Sequence, residues 1–148
     1  MNTVKEIVAE HGHESSRLLE MLRCLQSPTN YLSEEAIVGV AKELNVPISH
    51  VYGVASFYSM YSTKPRGKYI IRFCESAPCH IEGAAEVLEA VQDQLQIAVN
   101  ETTTDGKFSL ELTSCLGVCG VAPAMMVNST VYGNLTPEKA KKILAATE

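Results

Sequence analysis

Four of the five cysteines fall into two close pairs, Cys74-x4-Cys79 and Cys115-x3-Cys119, with 35 residues between them. Each pair follows a stretch with strand character. Tyr69 to Phe73 is short and rich in β-formers, and it ends at Cys74. Phe108, Leu110 and Leu112 alternate with Ser109, Glu111 and Thr113, the period-two signature of a half-buried strand, and lead to Cys115. Strands of one sheet can deliver two such remote loops to the same edge, and open α/β sheets commonly bind ligands at the carboxyl ends of their strands. Four thiolates can then converge on one small object.

The segments around these strands supply the rest of a layered fold. A helix is expected from near Cys79 to about Leu95, with Pro78 near its start, where a missing N–H costs nothing. Ile81, Ala84, Ala85, Leu88, Val91 and Leu95 give it an apolar face, and Gly83 inside it costs about 1 kcal/mol of propensity against Ala. Ile97 to Val99 is expected as a short strand and Asn100 to Lys107 as a polar turn region. Ala124 to Val127 and Val131-Tyr132 can pair across Asn128-Ser129-Thr130. Thr136-Pro137-Glu138 begins a last helix, cap then Pro, with Ala140, Ile143 and Leu144 facing inward. Strand, helix, strand, hairpin, helix is the order of an α/β mixed sheet with helices packed against it.

Before residue 67 the pattern is helical. Residues 3–26 form a helical stretch broken near Gly12, with Leu18, Leu19, Leu22 and Leu25 as its apolar face. Ser33 caps a second helix that buries Ile37, Val40, Ala41 and Leu44 and is closed by Asn45 and Pro47. A third runs from near Ser49 to the aromatic run Phe57-Tyr58-Ser59-Met60-Tyr61. That run is expected to pack against the following domain, with a partner surface as the functional alternative. Thr63-Lys64-Pro65-Arg66-Gly67 breaks the pattern, giving a helical bundle and linker at 1–66 and an α/β domain at 67–148.

The formal charge is −5, from 17 acidic and 12 basic residues, and no stretch is densely basic. That argues against a nucleic-acid surface and against a polybasic membrane patch. No segment reaches the roughly 20 apolar residues of a membrane helix. The N-terminus carries acids and lacks an apolar signal core, so a cytoplasmic or matrix-like location is expected. In a reducing compartment stable disulfides are a poor default.

The chemistry then rests on the cysteines. Gly117 and Gly120 let the second loop curl and turn backbone N–H groups toward sulfur. Leu116, Val118, Val121, Ala122 and Pro123 would keep water back. Spacing alone leaves four alternatives: an iron–sulfur cluster, a structural four-cysteine zinc site stapling an interaction module, a dithiol redox site, and plain buried cysteines. The x4 gap matches part of the plant-type ferredoxin spacing. Cys24 stands apart and is expected to be a buried packing residue. His80 follows Cys79, but four cysteines already suffice as ligands. No carboxylate pair, Ser/His/Asp arrangement or phosphate loop stands out, so no complete catalytic site is read in this chain alone.

Three segments carry a family resemblance: NVPISHVYGVASFYSMY at 45–61, FCESAPCHIEGAAEVLEAV at 73–91, and ETTTDGKFSLELTSCLGVCGVAPAMMVNSTVYGNLTPEK at 101–139. Together they make the chain resemble the thioredoxin-like 2Fe-2S ferredoxins, a family that includes the 24 kDa subunit of respiratory complex I and small subunits of NAD(P)-linked hydrogenases and formate dehydrogenases. The resemblance implies a thioredoxin-like mixed sheet behind a small helical bundle. It implies one 2Fe-2S cluster on Cys74, Cys79, Cys115 and Cys119. It also implies a larger iron–sulfur partner that binds FMN and NAD(P)H. Ser76-Ala77-Pro78 stands where many members carry Thr-Ala, a change that stiffens the loop.

Overall fold

The computed structural model describes residues 3–147. The chain divides into two compact units, Met1–Arg66 and Gly67–Glu148.

The first unit is helical: α1 (Val4–Glu10), a 3-10 turn at Ser15–Arg17, α2 (Leu18–Gln26), α3 (Glu34–Leu44) and α4 (Ile48–Phe57). Local chemistry sets its ends. Thr3 and Glu6 form a reciprocal capping box on α1. The Ser33 hydroxyl accepts from the Ala36 amide at the start of α3, and Asn45, in the left-handed region at φ 53°, ends it. Ile7, Val8, Leu18, Met21, Leu22, Leu32, Val40 and Val51 form the core. Two expectations shift here. Leu19 turns outward and Met21 takes the buried place, because a stripe of leucines read by spacing ignores where α2 starts after the 3-10 turn. Cys24 is exposed rather than buried, because it lies off the Leu18, Met21 and Leu22 face of α2.

The aromatic run is divided in its burial. Within it, Tyr61 is buried, with its hydroxyl donating to the Leu19 carbonyl at 2.6 Å. Phe57 is 80% exposed and Met60 55%. The helix ends at Phe57, so the residues after it do not continue the buried face set by Val51 and Ala55.

The second unit holds β1 (Tyr69–Cys74), α5 (Ala77–Ile81), α6 (Ala84–Leu95), β2 (Phe108–Thr113), a 3-10 turn at Cys119–Val121, β3 (Met125–Val127), β4 (Thr130–Tyr132) and α7 (Pro137–Ala145). The strand order is β2-β1-β3-β4, with β1 and β2 parallel and the other neighbours antiparallel. The expected mixed sheet is present. Ile71, Phe73, Leu110, Met125, Val87, Val91, Ala140 and Leu144 join sheet and helices in one core. Gly67 is required by close approach: a Cβ there would lie 2.8 Å from the Phe108 backbone. The Gly67 amide donates to the buried Ser109 hydroxyl at 2.7 Å.

Two local expectations are corrected. The helix after Cys79 is two helices, because Gly83 takes φ +86° and resets the phase. Val87 and Ala90 are therefore buried, whereas Ala85 is exposed and Ile81 is 79% exposed. Ile97 to Val99 is not a strand. Gln96 and Asn100 sit in the left-handed region and interrupt the extended chain. The outer edge of β2 is met instead by the next segment: the Asn100 amide donates to the Leu110 carbonyl, and Thr102 bridges Ser109.

Candidate functional site

Register builds the site. In the parallel β1–β2 pair, Cys74 lies opposite Thr113, so the loops leaving both strands start side by side at one sheet edge. β3 is antiparallel to β1, with Met125 opposite Phe73, so the loop from Cys115 to Ala124 must return to that same edge. A separation of dozens of residues in sequence becomes adjacency through strand pairing.

The two pairs are held differently. Cys74 ends β1 and Cys79 lies in α5; they are 2% and 1% exposed. The Cys74 amide donates to the Ala124 carbonyl at 3.2 Å, which ties the first pair to the entry of β3. Cys74 Sγ lies 3.2 Å from Ser76 Oγ. Cys115 and Cys119 are exposed. Gly117, at φ +77°, turns its amide onto Cys115 Sγ at 3.3 Å. Gly120 needs no special backbone conformation, and nothing would meet a Cβ there, so Gly117 alone serves the curl expected of both.

The thiols influence one another. Burial opposes ionisation of Cys74, but hydrogen bonds from the Ser76 hydroxyl and amide and the Leu116 amide outweigh it and bring the thiol down to about 7. Burial pushes Cys79 up, and the neighbouring Cys74 adds to the rise despite the Ala124 amide. Desolvation also raises Cys119, followed by the charges of Cys115 and, from the first pair, Cys74. The two pairs therefore lie within electrostatic reach. The loops at 74–82 and 114–123 contain no Lys or Arg. Crowded thiols with no Lys or Arg in their own loops, met by backbone amides, suit a bound cationic metal centre that takes up the charge of ionised sulfur. Among the described residues, no three His, Cys, Asp or Glu side chains converge on one single-ion position.

The loop of the second pair is fastened from behind. The Asn134 amide donates to the Val121 carbonyl at 2.6 Å and the Leu135 amide to that of Pro123 at 3.1 Å. A Cβ on Gly133 would come within 2.5 Å of Val121 Cγ2. Sequence reasoning does not find this fastening, nor the parts of Ser76, Leu116 and Ala124. Of these, Ser76 alone leaves a signal, as a hydroxyl between the first two cysteines. His80 is exposed and lines a small cavity with Cys74 and Glu75.

A parallel β1–β2 pair, an antiparallel β3–β4 hairpin and free cysteines in the loops at one edge define a cysteine-bearing mixed α/β sheet protein. The chain belongs to the thioredoxin-like 2Fe-2S ferredoxin family, which matches residues 4–148. The family cofactor is one 2Fe-2S cluster, and the four cysteines at one sheet edge fit it in number and ligand type. NADP-reducing hydrogenase subunit HndA of Solidesulfovibrio fructosivorans is 40% identical over 142 residues, covering 96% of this chain and 81% of that protein. An NADH-quinone oxidoreductase subunit of Pseudomonas aeruginosa is 38% identical over 138 residues, covering 92% and 83%. The crystal structure of an air-oxidized NAD+-reducing NiFe hydrogenase superposes with a TM-score of 0.77 at 23% identity, a likeness of fold. It covers 87% of this chain, which spans only 22% of that longer one. No helix among the described residues is long and apolar enough to cross a membrane.

Proposed function

We propose that this chain is the electron-transfer subunit of a multisubunit oxidoreductase, holding one 2Fe-2S cluster on Cys74, Cys79, Cys115 and Cys119. It exchanges single electrons with a larger iron–sulfur subunit that binds FMN and NAD(P)H. The parallel register of Cys74 with Thr113 carries this reading, because it starts both cysteine loops at one edge. When bound, the cluster supplies one-electron chemistry. The chain's own part is to hold and tune. Cys74 and Cys79 are kept from water, amides of Leu116, Gly117 and Ala124 point at sulfur, and the Ser76 hydroxyl contacts Cys74.

The relatives named as hydrogenase and NADH-quinone oxidoreductase subunits support a parent complex of one of these kinds, with a formate dehydrogenase as the third. Residues 1–66 and 67–148 are read as its helical and ferredoxin domains, working in the cytoplasm or on the cytoplasmic face of a membrane complex. Anaerobic purification tests the assignment. About two irons per chain, visible absorption and a reducible paramagnetic centre are expected for a 2Fe-2S site on four cysteines. Colourless protein with stoichiometric zinc would instead establish a zinc-stapled interaction module.

A further inference from the structure

Helix α7 opens against a local rule. Thr136 is its cap, with its hydroxyl accepting from the Lys139 amide at 3.2 Å, and Pro137 and Glu138 fill the two positions between. The third position after such a cap favours Glu or Gln, whose side chain reaches back to the cap amide. The positive end of the helix also disfavours a cation there. This chain nevertheless places Lys139 at that position. Departures from local preference are expected where a functional site gains from them.

The gain is visible in the preceding turn. Lys139 Nζ donates to the Gly133 carbonyl at 2.6 Å and to the Asn134 carbonyl at 3.3 Å. That turn is not held by local preference: Asn134 sits in the left-handed region at φ 48°, and Gly133 lies too close to Val121 for a Cβ. The same turn fastens the second cysteine loop, through the Asn134 amide on Val121 and the Leu135 amide on Pro123. Val121 closes the 3-10 turn that begins at Cys119. One lysine thus links a helix anchored in the core by Ala140 and Leu144 to the loop that presents two exposed cysteines.

We infer that Lys139 is a positioning residue for the Cys115–Cys119 loop: it braces the 133–134 turn, and that turn holds the loop in its ligating shape. The inference rests on the ligand set proposed above. An ammonium is a charge-assisted donor, stronger than a neutral one, and here it serves two carbonyls at once. Cys74 and Cys79 need no such brace, because β1 and α5 hold them and both are buried. The open pair has no burial to hold it, so loss of the brace acts on that pair alone.

The test compares the full iron-loaded chain with Lys139→Met, Lys139→Arg and Lys142→Met. Two quantities are read: the rate of iron release to a chelator, and hydrogen exchange along the chain by mass spectrometry. Lys139→Met keeps the aliphatic stem and removes the donor. It is expected to release iron roughly tenfold faster, as for loss of hydrogen bonds from a charged donor. Exchange at the amides of Asn134 and Leu135 should quicken in the same variant, while the ladder amides of β1 and β2 keep their wild-type rates. Lys139→Arg restores a donor and should return both readings to near wild type. Lys142→Met removes the same charge from α7 and should change neither. Iron release at the wild-type rate in Lys139→Met overturns the inference, and so does an equal quickening in Lys142→Met. Exchange that rises as much in β1 and β2 as at 134–135 also overturns it, because the lysine is then merely structural. A wild-type chain that holds no iron sinks the proposed function itself, and that result is read without any variant.

Discussion

The two cysteine pairs share one sheet edge but are built by different means. Cys74 and Cys79 belong to regular structure, the end of β1 and the short helix α5, and are shielded from solvent. Cys115 and Cys119 sit in an exposed loop whose shape comes from a left-handed Gly117 and from amides of residues 134 and 135. One pair is positioned by the fold's core; the other is positioned by contacts a loop can lose. A site assembled this way has one wall buried in the core and one wall open to solvent.

The largest effect that can break this contrast is ligand loss. Cys79→Ser and Cys115→Ser should each abolish the stable cluster, measured as iron per chain and visible absorption. Cys79→Ser should also lower the melting temperature of the metal-free protein, because it puts a hydroxyl into a buried sulfur position; Cys115→Ser should not. Next, in metal-free protein, Cys115 and Cys119 should be alkylated well before Cys74 and Cys79, and mass mapping of the modified residues reads the order. Equal rates at all four would remove the distinction.

A smaller effect is expected at the fastening. Gly133→Val forces Val121 to move, since even a Cβ would approach to 2.5 Å. Iron release to a chelator should quicken, and overpacking should cost about 1–3 kcal/mol in denaturant unfolding. Smaller again is Ser76→Ala. Removing the hydroxyl takes away a contact that favours the Cys74 thiolate, so thiolate formation in metal-free protein should move upward from about pH 7. In the loaded protein, loss of a donor to sulfur should make the reduction potential more negative, read by redox titration. Smallest of all, Cys24→Ala should leave iron content and spectrum unchanged, because Cys24 stands on an exposed face of the helical unit.

Much of this architecture is legible in local chemistry. Alternation locates β2, the cap followed by proline locates α7, and the capping serine at residue 33 locates α3. The departures within helices share one cause. Read along the chain, Gly83 is a tolerated helix residue; in the fold its left-handed conformation splits the helix and rotates the buried face from Ala85 to Val87 and Ala90. The outward turn of Leu19 has the same origin: helical phase depends on where the helix starts, and spacing alone does not set that.

The amino-acid order alone determined which cysteines are candidate ligands, the strands that precede them and the helix caps, since each depends on neighbours along the chain. Tertiary structure decided which sulfurs are buried, which amides and hydroxyl face them, and that Gly133 must yield room to Val121. Those outcomes depend on strand register and on atoms brought together from distant parts of the chain, and pairing geometry has no signature in any one segment.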